Sequence, residues 1–194
     1  MKERPILFSA PMVEAILAGT KTMTRRIVKP PPPELTDGSA RMYQHGDGWR
    51  YDGCNYKGDD HERCPYGAPG DLLWVRETWA RVGHPERTVF RAERADDYQW
   101  SAAPGFRWSP SIHMRRGLSR IDLEVTAVRV ERLHDITEED ARAEGVQPGS
   151  LSVFDSFYIG AFADLWESIN GERASWHSNP WVWVVAYKLL RGGQ

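Results

Sequence analysis

The chain predicts an α+β fold, a small and partly open β-barrel with peripheral helices. Three observations carry that reading. Stretches 4–8, 22–28, 72–77, 121–133 and 181–189 have strand composition or strict alternation. Helical spacing is confined to two or three short segments. The strands do not alternate regularly with helices, which excludes a doubly wound parallel sheet.

The first strand, 4–8, leads into a helix with Ser9 as N-cap candidate and Pro11 in the first turn, where a missing N–H costs nothing. Val13, Ile16 and Leu17 share one face, and Gly19 sits where a C′ glycine ends a helix. The next residues, Lys21-Thr22-Met23-Thr24-Arg25-Arg26, enter the β-branched strand 22–28. Pro30 to Pro33 end it, and 34–63 reads as an inserted excursion with at most a short hairpin. Pro69-Gly70-Asp71 is a turn before strand 72–77.

A second irregular excursion covers 81–119. Its end carries Arg107, Arg115, Arg116 and Arg120 with Phe106, Trp108 and His113, and no acid. A groove for single-stranded nucleic acid and a solvated basic loop both fit that pattern. From Ile121 to Leu133 the chain alternates as a long half-buried strand, with room for a bend. Thr137 is the N-cap of a short helix with an acidic first turn, ended by Gly145. Glu144 is thus a carboxylate at a helix C-terminus, where the dipole disfavours it unless it is solvated or paired with a cation such as a lysine. An amphipathic helix over 154–169 stops at Asn170-Gly171, and 181–189 is the closing strand.

Bulk properties narrow the function classes. The length, 194 residues, suits one domain over 1–194, with insertions at about 30–63 and 81–119. A net charge of -2 excludes a global footprint for duplex nucleic acid. No apolar run is long enough to span a bilayer and no signal-peptide pattern is present, so a cytoplasmic monomer is the expectation. Nine tryptophans are many; core packing accounts for most of them, with base stacking as the alternative for a few. His45, Cys54, His61 and Cys64 have zinc-ligand chemistry but poor spacing, so no metal or other cofactor is expected.

Read alone, the stretch from Gly19 to Arg26 is either a solvated basic turn or a site. Its setting adds to this. Gly19-x-Lys21-x-x-Thr24-x-Arg26 after a short helix, Gly70-Asp71 before a strand, Leu123 to Ala127 with Asp135 to Gly145, and Trp183 to Lys188 stand in an order that resembles the ASCH family of PUA-like β-barrels. The blocks cover about half the chain, and the longer form is similar to phage and prophage members. The resemblance implies a PUA-like barrel. Lys21, Thr24 and Glu144 fall on the functional lysine, threonine and glutamate of the family's N(4)-acetylcytidine amidohydrolase branch.

That resemblance implies a deacylase with Thr24 as nucleophile and Lys21 as base, provided its amine loses its proton through burial or through Arg25 and Arg26. It further implies that Glu144 shuttles the proton, since a tight ion pair would raise the lysine pKa. Lys21 must lie in the bend after Gly19 to meet Thr24, which shares a strand face with Arg26. Substrate-binding candidates are Arg26, Arg25, Glu77, Trp74, Arg115 and Arg116, with Glu77 the alternative acid. The implied partner is a modified nucleoside or a single-stranded nucleic acid. A nucleic-acid reader and a ribonuclease are the competing functions. The amidohydrolase branch lacks the two excursions.

Overall fold

Strand composition resolves into one open, mixed, five-stranded sheet. The computed structural model describes residues 1–29, 41–45, 48–52, 64–83, 87–93, 106–147 and 157–192. In chain order the elements are β1 (Glu3–Leu7), α1 (Ala10–Leu17), β2 (Met23–Ile27), β3 (Arg41–His45), β4 (Gly48–Asp52), β5 (Leu72–Arg76), β6 (Trp79–Val82), β7 (Arg87–Phe90), β8 (Ile121–Arg132), α2 (Glu138–Ala143), α3 (Phe157–Asn170) and β9 (Trp181–Gly192). The sheet order is β1-β5-β8-β9-β2, so β1 and β2 are its edges. Only β1 and β5 pair in parallel; the other neighbours are antiparallel.

The sheet curls enough for one side chain to bridge its edges. Arg26 on β2 donates from Nη2 to the Leu7 carbonyl of β1 at 2.7 Å, and its guanidinium lies 5.2 Å from the Phe8 ring. The expected partly open barrel is therefore an open sheet whose seam a side chain closes. Curvature comes from β8, expected to bend: it stays one strand but slips register against β9 at Asp122/Leu123 and Val125/Ala127.

Two apolar clusters sit on opposite faces of the sheet, and β9 feeds both. Trp183, Val185 and Tyr187 pack with Ile6, Leu73 and Leu123 inside the curl. Val182 and Val184 pack outward with Phe162 and Trp166 of α3. Burial on both faces explains why β9 reads as a continuous apolar run instead of an alternating one. Packing accounts for the buried tryptophans Trp74, Trp166 and Trp183.

Helix ends set the approach of the elements that matter most. Gly19, at φ +74°, closes α1 in a Schellman motif: its N–H bonds the Ile16 carbonyl and the Thr20 N–H bonds the Ala15 carbonyl. Ser9 occupies the N-cap of α1, but its hydroxyl makes no capping bond. The Thr137 hydroxyl does cap α2, accepting from the Asp140 amide at 3.2 Å. Glu138, in the first turn of α2, reaches across to α3. Its carboxylate accepts from the Tyr158 and Ile159 amides at 2.9 and 3.3 Å, which the first turn of α3 leaves without helical partners.

One expectation needs amending. The segment after Arg81 is not wholly irregular, because β6 and β7 form an antiparallel hairpin. Its alternation is masked by Gly83, Pro85 and interspersed charges. Within the first excursion, β3 and β4 pair as the short hairpin that was allowed for. The zinc candidates are mostly untouched, since Cys54 and His61 lie outside the described residues. Cys64 is a buried free thiol that burial pushes up to about 11, which opposes a thiolate ligand.

The Glu138 bridge carries a prediction. Glu138→Ala removes an N-terminal cap from α3 and should cost about 0.5–2 kcal/mol, read as a lowered denaturant midpoint. Glu138→Gln keeps one acceptor and should lose less. Equal stability of Glu138→Ala and the wild type would show that α3 is held without this cap.

Candidate active site

The bend after α1 and the end of α2 meet at one point. Lys21 and Glu144 form an antiparallel backbone bridge, and the Thr22 amide donates to the Ala143 carbonyl at 2.9 Å. Gly145 permits the approach. It has φ +80°, and a Cβ there would lie 2.8 Å from the Lys21 Cβ and 3.0 Å from the Ala15 Cβ. Glycine at 145 thus serves both as helix stop and as the gap through which α2 reaches β2.

The side chains complete the junction. Lys21 Nζ donates to Glu144 Oε2 at 2.7 Å and to the Glu144 carbonyl at 2.8 Å. Both residues are buried, 2 % and 4 % exposed. Arg25 takes the other carboxylate oxygen at 3.3 Å, and is itself held by Glu131 and Asp140 at 2.6 Å each. Arg129 bonds both of those acids. Three cations (Lys21, Arg25, Arg129) thus face three anions (Glu131, Asp140, Glu144), so the network is neutral within itself. That balance is what makes so much buried charge tolerable.

Glu144 explains its own odd location. The helix dipole disfavours a carboxylate at the C-terminal end of α2, and two cations outweigh it there. The pair is tight, contrary to the expectation that Glu144 stays clear of a direct ion pair. The physical reason is burial: an ammonium and a carboxylate brought out of water together must compensate each other. The Lys21 amine is nevertheless pushed below its ordinary value. Burial is the main cause, Glu144 pulls it back up, and Arg26 and Arg25 push it down. Tyr187 lies beneath, its phenol held well above its usual range by burial and by Glu144.

A cavity of about 220 Å³ opens along the free edge of β2, against α3. Its walls include Thr24, Arg26, Glu144, Tyr66, Phe162 and Trp166. Pairing with Val185 and Trp183 puts Thr24 and Arg26 on the inner sheet face, while Arg25 points outward over the Phe162 ring at 5.8 Å. Because β2 is an edge strand, the cavity receives side chains from both faces. Lys21 does not reach the wall; Glu144 does, with Lys21 behind it. One Arg26 nitrogen, Nε, is buried without a hydrogen-bond partner.

The remaining candidates lie elsewhere. Glu77 is buried, but its two oxygens accept from Arg120 Nε and Nη2 at 2.8 and 3.0 Å, and burial raises its pKa. Glu93 also pairs with Arg120, whose guanidinium covers the Phe90 ring at 4.2 Å. Trp74 carries the Arg76 guanidinium on its ring, 4.8 Å away. Arg116 bonds Glu3 and Asp122 at 2.9 and 3.1 Å. Arg115 is exposed on the same loop, and none of these four candidates, Glu77, Trp74, Arg115 and Arg116, lines the Thr24 cavity. The acid-free stretch of sequence is thus supplied with acids by β1, the end of β5, the turn after β7 and β8. Phe106 and Trp108 pack on Ala80, Val82 and Val89 of the β6–β7 hairpin.

Sequence reasoning missed Glu131 and Asp140, which anchor Arg25, and the α3 aromatics that wall the cavity. Asp140 is visible in the sequence only as one of three acids in a helix first turn. Nothing local marks it as a partner of Arg25.

No protein-family model matches the sequence, and neither does any curated protein. Over 98 % of its length the chain is similar in structure to the ASCH domain from Lactobacillus crispatus JV V101, at 12 % identity and a TM-score of 0.44, covering 81 % of that chain. It is likewise similar to protein EF3133 from Enterococcus faecalis V583, at 8 % identity and a TM-score of 0.44, covering 98 % of this chain and 82 % of that one.

Breaking the buried pair from one side should be costly. Glu144→Ala strands the Lys21 ammonium and is expected to lose about 3–5 kcal/mol, whereas Lys21→Met/Glu144→Gln should recover most of that. The depressed Lys21 pKa also sets a sign. Its stabilising contribution is fully present above the ordinary lysine value of about 10.4 and is lost as pH falls through the lower folded-state value. Wild-type stability minus that of the double variant should therefore rise with pH on approach to that value. A flat difference, measured by urea titration, would contradict the depressed amine.

Proposed function

We propose that the chain is an amidohydrolase that removes an acyl group from the exocyclic nitrogen of a modified nucleobase, with N(4)-acetylcytidine as the reference substrate. The observation that carries this reading is the buried Lys21–Glu144 pair opening, through Glu144, onto a small cavity that Thr24 also lines. At about 220 Å³ the cavity falls below the roughly 300–1,000 Å³ of pockets for drug-sized ligands. Aromatic walls with a few placed polar groups suit a planar base. The sequence resemblance to the N(4)-acetylcytidine amidohydrolase branch supports the same three residues.

The geometry refines the division of labour. Thr24 Oγ attacks the acyl carbon, and its proton passes to Glu144, the member of the pair that reaches the cavity. Glu144 returns that proton to the exocyclic nitrogen as the C–N bond breaks, leaving an acyl ester on Thr24. Water, deprotonated by Glu144, then hydrolyses the ester and restores the threonine. Lys21 and Arg25 hold the carboxylate in place and act through it, so Lys21 is a positioning residue. Arg26, with one donor already on Leu7, offers its remaining N–H groups to the oxyanion.

Of the rival readings, the nucleic-acid reader drew on the basic loop before β8 and on the tryptophans, and the ribonuclease on Lys21 and the arginines. The basic loop is Gly105 to Arg120. Two of its four arginines, Arg116 and Arg120, are committed to acids.

Incubation with N(4)-acetylcytidine should release acetate and cytidine, followed by chromatography. Thr24→Ala should remove turnover, and Glu144→Gln should lower kcat by about 10²–10⁴-fold. Full turnover by Thr24→Ala, or no acetate from the wild-type protein, would refute the assignment.

A further inference from the structure

The Thr24 cavity does not end at α3. A second cavity of about 530 Å³ shares Ile27, Lys29 and Arg173 with it and continues along the end of β2 to Arg132 and Trp181. Its cations are Lys29, Arg132 and Arg173, against one acid, Glu172. These cations differ from the arginines that carboxylates hold, near the site or away from it. Arg25, Arg116, Arg120 and Arg129 are all paired with carboxylates. Lys29 and Arg173 are exposed and have no acidic partner among the described residues. The Arg132 guanidinium carbon lies over the Trp181 ring, 4.6 Å from its centroid, with one donor on the Asn179 carbonyl at 3.1 Å.

We propose that this second cavity is a phosphate-and-stacking subsite that takes the neighbouring nucleotide of a single-stranded nucleic acid whose target base occupies the Thr24 cavity. The proposal rests on the reading of the Thr24 cavity as a base site. Placement supports it: Lys29 and Arg173 stand at the junction, where a phosphodiester linking two nucleotides must cross. Beyond them the Arg132–Trp181 stack presents a planar cation and an aromatic ring, the two surfaces on which an unpaired base packs whatever its sequence. A free nucleoside fills only the first cavity and has no phosphate for the junction. The net charge of -2 is no obstacle, because the contact is local and the rest of the surface does not engage the strand.

The test is binding, kept apart from turnover. Fluorescence anisotropy, with competition, compares cytidine, the cytidine monophosphates, and oligoribo- and oligodeoxycytidylates of about eight nucleotides, at low salt and across a salt series. An oligonucleotide should bind at least about tenfold tighter than cytidine. Lys29→Ala/Arg173→Ala should abolish that advantage and reduce the salt slope by about 0.7 for each lost phosphate contact. Arg132→Ala, beyond the junction, should weaken the oligonucleotide and leave cytidine affinity where it was. Equal affinity for cytidine and the oligonucleotide would overturn the subsite, as would unchanged oligonucleotide binding in the double variant. A monophosphate that binds as tightly as the oligonucleotide would overturn the strand assignment. Hydrolysis of free N(4)-acetylcytidine by the wild-type protein, run in parallel, reports on the amidohydrolase reading alone, so either proposal can fail while the other stands.

Discussion

The Lys21–Glu144 contact is the constraint on which the rest of the site depends. It joins two segments 123 residues apart, through backbone pairing and through a buried ion pair at once. Neither partner is stable in that place alone. The carboxylate sits at the unfavourable end of a helix dipole, and the ammonium sits where burial pushes its proton off. Each is retained because the other is there. The arrangement holds a buried ion pair in the wall of a cavity, where an ordinary surface lysine or glutamate would be screened by water.

Around that contact the fold is built to hold position. Gly19 turns the chain so that Lys21 leaves α1 in the right direction, and Gly145 allows α2 to come close. Arg25 is clamped by Glu131 of β8 and Asp140 of α2, and passes their rigidity to Glu144. Glu138 ties α2 to α3, so the helix that walls the cavity is registered against the helix that supplies the carboxylate. Acids in the first turn of α2 therefore do more than complement its dipole; two of them are structural links between elements.

The edge position of β2 decides what the cavity can be. An interior strand would have offered one face only. At the edge, Thr24 and Arg26 come from the inner face and Arg25 from the outer, and the groove can run on past the strand's end toward Trp181. The same exposure is a hazard for a sheet, since a free edge invites further pairing. Here α3 stands beside the edge and turns it into a lined groove.

The sequence by itself determined the main strands and helices and singled out the candidate residues of the site. Periodicity and caps placed α1, α2 and the long strands, because those signals are local: a glycine at a helix end, a threonine before an acidic turn, alternation along β8. Lys21, Thr24 and Glu144 were nameable only through the short blocks that carry the family resemblance, since the residues by themselves left a solvated basic turn open. What only the tertiary structure decided was which charges meet. It showed Glu144 in a tight pair where sequence argument expected a looser shuttle, and it put Lys21 behind the carboxylate instead of at the cavity. It gave Glu77 to Arg120 and gave Arg116 to Glu3 and Asp122, pairing two of the four arginines in a loop that looks purely basic in one dimension. Charge pairing across a curled sheet depends on distances between segments far apart in the chain, and no local pattern encodes them.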